Sequence, residues 1–566
     1  MPRIRSFAVL LVLITLLIPR TTFVRAQRSA IDVYAITNAK IVTVSGPVIE
    51  RGTVVIRDGL IAAVGENVSA PADARVVDGT GLTVYPGLFD SNTNLGLAAP
   101  SPAPSPTGGG GVGFLQAQLR PATTAGGPNS TQPAGLQPEV MAEDSIKPGG
   151  PEIEAARNTG ITTALSVPRT GIWMGQSALI NLAGDTPQQM IVRSPVAMHV
   201  GFSPLRAGGY PGSLMGVFAA LRQMLLDAQR YQKALEVYER APRGMRRPEL
   251  DRSLQALIPV LEGKLPVVLH ADRQREIERA LDLGQEFKLR AIIAGGAEAA
   301  TVADRLRERD VAVLLSLNFP KRTTAAAPEA EPETLRTLRG RVDAQKTAGK
   351  LAAAKVRFAF QSGGLTNVAD FRANVAKAIE NGLSREDGLR ALTIRPAEIF
   401  GVADRLGTIE VGKIANLTVT RGDIFDRAAR VTNVFIDGRP VDLRPATAAP
   451  SASPGAAPPG PNAEEARPNF GGTWAVNLSV NGQNLPGTLV LRQEGGAISG
   501  SLQTQIGTSE FSGGTVTGNA FHVVTSANIQ GQAVDLTIDA SIQGDNISGT
   551  VQSVLGTATM TGSRQP

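Results

Sequence analysis

Apolar and polar positions follow two rhythms along this chain. From 34 to 85 the period is two, with short apolar runs broken by turn residues. In "GTVVIRDGLIAAVG" the runs 54–57 and 60–64 flank Asp58-Gly59, a pair that supplies the positive φ of a tight hairpin. "ARVVDGTGLTVYPG" repeats the pattern, and "GTIEVGKIANLTVTRGDIFDRAARVTNVFIDGRPVDL" (407–443) resumes it with its own Asp437-Gly438 turn. Between these stretches, apolar runs at 161–167, 178–182, 195–200, 266–270, 290–294, 311–317 and 356–360 alternate with amphipathic segments. "GPEIEAARNTG" and "REIERALDLGQEFK" have helical spacing, and Ser384 with Asp387 three residues on is a capping-box signal. Strand–helix alternation over this length predicts a parallel α/β fold, a (β/α)8 TIM-like barrel.

Low-complexity stretches punctuate the pattern. Residues 98–150 ("APSPAPSPTGGGGVG" and onward) predict a disordered insertion over the barrel mouth, and 322–335 a second loop. Residues 444–467 read as a Pro/Ala linker. From 468 to 566 the pattern is strand-only, with a recurring "ISGS", "VTGN", "ISGT", "MTGS". It predicts a β-meander closed into a small barrel or sandwich.

Composition narrows the options. The 566 residues are 42% hydrophobic but 4% aromatic, so the core is aliphatic. With no Cys there are no disulfides, thiolate metal sites or Cys nucleophiles. "MPRIRSFAVLLVLITLLIPRTTFVRAQ" has a basic start, a short apolar run and a small-residue cleavage site, so 1–26 reads as a signal peptide for periplasmic or secreted export. An uncleaved anchor is the alternative; with cleavage no membrane span remains. The formal charge of +6 falls by four with Arg3, Arg5, Arg20 and Arg25, to +2. No basic run suggests nucleic acid.

"NAKIVTV", "GTVVIRDGLIAAVG", "VVDGTGLTVYPGLFDSNTNLGL", "GITTAL", "PVVLHADR", "ALTIRPAEIFGVADRLGTIEVGKIANLTV" and "VFIDGRPV" resemble, in order, the metal-dependent amidohydrolase superfamily, in particular its secreted imidazolonepropionase-like branch. The resemblance covers 33 to about 443. It implies a barrel at 86–402 and a composite β-sandwich built from 33–85 and 403–443. It also implies hydrolysis of small C–N bonds with Zn or another divalent metal, a small-molecule partner, and leaves a homodimer open.

The family's ligands carry over poorly. Its Asp-x-His-x-His stands here as Asp90-Ser91-Asn92-Thr93-Asn94. The fifth-strand His is retained as His270, followed by Asp272. The sixth-strand His falls at Gly295-Gly296, the eighth-strand Asp at Gly363, and no Lys occupies "SPVAMHVG". The chain has three His in all, 199, 270 and 522. Neutral Asn carbonyls are weak donors for a transition metal. The expectation is therefore an exported, catalytically degenerate member with no cofactor, whose ligand cavity is lined by Asp90, Asn92, Asn94, His270, Asp272 and Gly363. His270, paired with Asp272, is the candidate general base, and His199 reads as a satisfied structural residue. Two alternatives stand beside this: an active hydrolase with an atypical or metal-free site, and a cell-envelope binding module acting through the C-terminal β-domain. "GGGGVG" at 108–113 lacks the frame of a phosphate loop, and Ser362 lacks an assured base.

Overall fold

The computed structural model describes residues 33–97, 132–205 except 134, 211–320, 333–365, 367–443 and 470–565, apart from 481–482, 495–496, 505–506, 518, 530–531 and 554–555. The expected signal segment, residues 98–131 of the insertion, and the linker lie outside them. The chain divides into two compact units, Met1–Ala449 and Pro450–Pro566. No helix among the described residues is long and apolar enough to cross a membrane.

The first unit is a TIM-barrel-like domain with a β-rich flank. Met198–Gly201, Val267–Ala271, Ala291–Gly295, Ala312–Ser316 and Phe358–Gln361 form consecutive parallel pairs. Leu88–Thr93 pairs in parallel with Ile161–Ser166 and packs beside Phe358–Gln361. The remaining stave departs from the expected (β/α)8 pattern. Trp173–Gln176 runs antiparallel to Met198–Gly201, and Ala178–Asn181 antiparallel to Ile161–Ser166. Only residues 167–172 separate this stave from the strand before it. That is too short for a crossover helix, so the chain must return antiparallel.

Phe89, Leu165, Leu179, Val268, Ile292, Leu314 and Ala359 form one buried cluster with Ala397 and Phe400. It fills the barrel with the aliphatic residues that the composition favours. Helices such as Leu214–Arg240, capped by Ser213, and Arg385–Leu392, capped by Ser384 on the Asp387 N–H, cover the outside. The expected disordered insertion needs correction at its C-terminal part. Leu136, Ala142 and Ile146 are buried, and bridges tie Leu136 to Trp173 and Met141 to Gln176. The apolar residues among the glycines there give that segment enough buried surface to hold it.

Both chain flanks meet in one eight-stranded sheet, joined where Leu82–Pro86 pairs antiparallel with Leu417–Arg421. Asp58 and Asp437 adopt φ of 53° and 50°, each followed by a positive-φ Gly, as their hairpins require. A buried amide network fastens this sheet to the barrel. Asn416 Nδ2 donates to Thr163 Oγ1 (3.1 Å) and Asn181 Oδ1 (2.8 Å), and its Oδ1 accepts the Asp437 N–H at 2.8 Å. Asn181 Nδ2 donates to Asp437 Oδ1 at 2.7 Å.

The second unit is an antiparallel meander of eight strands, from Gly472–Val480 to Gly556–Arg564, in which the first strand pairs with the last and closes a barrel. Its interior holds Phe470, Trp474, Phe521, Ile538 and Met560. The recurring Gly motif marks close backbone approaches: a Cβ on Gly500 would come within 1.9 Å of Val490 O, and one on Gly549 within 2.2 Å of Asp539 O.

Candidate functional site at the barrel mouth

Parallel barrels gather their site residues at the carboxyl ends of the strands. Here a cavity of about 650 Å³ opens there, lined by Asn92, Arg169, Met174, Phe202, His270, Asp272, Glu276, Ser316, Gln361 and Gly363, among others. A larger cleft of about 980 Å³ lies beside the Asp437-Gly438 turn, away from the strand ends.

Asn92 and Gln361, from the neighbouring strands Leu88–Thr93 and Phe358–Gln361, share one hydrogen bond: Asn92 Nδ2 donates to Gln361 Oε1, and Gln361 Nε2 donates to Leu314 O at 2.8 Å. Asp90 lies beneath them, wholly buried. It accepts the Ser362 N–H at 2.9 Å, the Ser362 hydroxyl, and the Asn92 N–H at 3.4 Å. Burial pushes its carboxyl up to about 6 against these hydrogen bonds and the Arg169 charge, which favour the ionised form. The Ser362 hydroxyl is committed to Asp90, so the serine has no histidine base.

His270 does not pair with Asp272. Its Nε2 lies 3.1 Å from Nδ1 of His199, one strand over. Burial holds His270 down at about 4, helped by the Arg169 charge, and His199 well below the usual imidazole value, so both rings are neutral at pH 7. His199 is not the satisfied residue expected, because its Nε2 is buried without a partner among the described residues. Neither Arg169 nor the two-histidine contact was singled out from sequence. The signal available was one His on each of two successive strand-like runs.

Of the expected cavity residues, Asn92, His270, Asp272 and Gly363 line the space, and Asp90 lies under its floor. Asn94 does not belong with them. The strand ends at Thr93 after a register irregularity beyond Asp90, and Asn94 is exposed. The alternation that would aim Asn92 and Asn94 the same way stops one residue short.

The donor set does not fit a hydrolytic divalent metal. Such a site takes three or more strong donors, and among the described residues no three of His, Cys, Asp and Glu converge. The sixth-strand position disfavours a side chain as well: Gly295 has a φ of 99°, which L residues rarely adopt, and a Cβ there would lie 2.5 Å from Asp272 Oδ1. At the eighth, a Cβ on Gly363 would lie 3.0 Å from Asn92 O and 3.1 Å from Gln361 Oε1.

Comparison with known proteins gives a consistent picture. Residues 287–441 match the model of the Amidohydrolase family. The enamidase of Eubacterium barkeri is 42% identical over 54 residues, 9% of this chain, and the match spans 14% of the enamidase's length. The solved structure of an amidohydrolase from Thermotoga maritima MSB8 aligns at 26% identity with a TM-score of 0.60, over 73% of this chain and 100% of that one.

Proposed function

This chain belongs to the metal-dependent amidohydrolase superfamily, and from that premise we propose that it is an exported, catalytically degenerate member whose barrel mouth binds a small molecule. The observation that carries the reading is the Asn92–Gln361 hydrogen bond beside Gly363. Two carboxamides joined by one hydrogen bond, with the Gln361 Nε2 committed to Leu314 O, occupy ground where metal-dependent hydrolysis needs anionic and imidazole donors to meet. A metal would supply a water of lowered pKa, but among the described residues no three His, Asp or Glu side chains converge to hold one. Asp90, the remaining carboxylate of that strand, is spent on Ser362. The retained His270 is neutral and tied to His199, which suits hydrogen bonding to a ligand. Export rests on the basic, apolar N-terminal segment.

A hydrolysis screen tests the proposal. The purified full chain is incubated with dipeptides, imides and lactams, with and without added Zn²⁺ or Mn²⁺, beside His270→Ala. No turnover above that of His270→Ala is expected. Metal-stimulated turnover that this substitution abolishes would contradict the reading.

A further inference from the structure

Two hydrogen-bond donors at the barrel mouth have no protein acceptor among the described residues. The first is Arg169, in the segment after Ile161–Ser166. Among the described residues its guanidinium makes no hydrogen bond or ion pair. It is exposed to solvent at the rim of the cavity, and its charge is felt by both Asp90 and His270. A Cβ on Gly363 would lie 3.6 Å from Arg169 Nη2, so the guanidinium hangs over the end of the eighth strand.

The second donor follows from the histidine pair. His199 Nδ1 and His270 Nε2 are 3.1 Å apart, so one ring donates to the other. His199 Nε2 is buried without a partner among the described residues. A buried N–H without an acceptor is rarer than a bare lone pair. The hydrogen-bond network therefore assigns the His199 proton to Nδ1, donated to His270 Nε2. Neutral His270 then carries its own proton on Nδ1, which has no protein acceptor among the described residues and belongs to a ring lining the cavity.

A guanidinium fork and an imidazole N–H are complementary to a carboxylate. Val167, Met174 and Phe202 supply an apolar wall. Asp272 and Glu276 at the same cavity oppose more highly charged anions. Resting on the metal-free reading above, we infer that the barrel mouth takes a small monocarboxylate with an apolar body, its carboxylate held by Arg169 and His270 Nδ1.

The test uses the full chain in calorimetric titrations with N-acetyl-L-leucine, its methyl ester and inorganic phosphate. Wild type should bind the acid, and the ester should lose at least about tenfold in affinity, the scale of a charge-assisted hydrogen bond. Phosphate should bind more weakly than the acid. Arg169→Gln should match the ester's loss, while Arg169→Lys, which keeps the charge without the fork, should fall between. Arg169 has no partner among the described residues to lose, so these variants should fold, as thermal denaturation would check. Acid and ester binding alike, Arg169→Gln binding like wild type, or no binding of this acid, N-acetyl-L-phenylalanine or short fatty acids at millimolar concentration would each overturn the inference. Metal content is read on the same samples. Metal-free protein that ignores every acid sinks the carboxylate site alone, whereas stoichiometric metal with Arg169-dependent acid binding sinks the metal-free reading and keeps the site.

Discussion

Asp90 and the histidine pair, His199 buried and His270 half-buried, set opposing pH dependences within one barrel. The Asp90 carboxyl is raised from 3.8 to about 6, so its contribution is complete below the ordinary value and lost as pH rises through 6. His270 is lowered from 6.5 to about 4. The unfolded chain therefore takes up that proton first, and stability is lost as pH falls from 6.5 towards 4. His199 acts in the same direction. The Asp90 and His270 shifts are each worth on the order of 3 kcal/mol, and the lowered His199 adds to the His270 side of the balance. Chemical denaturation should show wild type losing stability from pH 7 to pH 5. Asp90→Asn should steepen that loss and His270→Gln should flatten it; the reverse order would refute the assignment. Gly363→Asp restores the family's residue type where a Cβ would be tight, 3.0 Å from Asn92 O and 3.1 Å from Gln361 Oε1. It should cost about 1–3 kcal/mol in thermal denaturation, with no recovery on adding divalent metal. That Asn and Gly stand where the resemblance expects ligands is legible from residue identities alone. The Asn92–Gln361 and His199–His270 contacts were not, because each joins side chains from different strands, and Asn94 was misread because nothing local marks Thr93 as the strand's end.

Elements whose signals are local read correctly from sequence. Asp58-Gly59 and Asp437-Gly438 declare their hairpins because their positive φ is a property of the pair. The run at 178–182 was recognised as a strand, but its direction was not, since an apolar run carries no arrow; the short connection at 167–172 was the available clue. The composite sheet depends on partners more than three hundred residues apart, Leu82–Pro86 and Leu417–Arg421, which only the resemblance could suggest. Asn416 fixes that sheet to the barrel through Thr163, Asn181 and Asp437. Asn416→Ala strands several of these buried groups, and a loss on the order of 3 kcal/mol is expected by urea denaturation. A change below a tenth of that would mean the network is idle.

At the scale of the whole molecule, the two units have separate cores. Fragments 33–443 and 468–566 should each unfold cooperatively in urea, and a fragment with no cooperative transition would contradict a core of its own. The eight-stranded closure of the second unit leaves no free sheet edge among the described residues. The account as a whole stands on the chemistry of the barrel mouth, where a superfamily built around divalent metals has here a floor of paired amides. Elemental analysis of the full chain, purified from cells supplied with Zn, Mn, Fe and Ni and then dialysed, tests this most directly. Far less than one metal per chain is the predicted result; one or two retained equivalents, lost on changing His270 or Asp90, would contradict it.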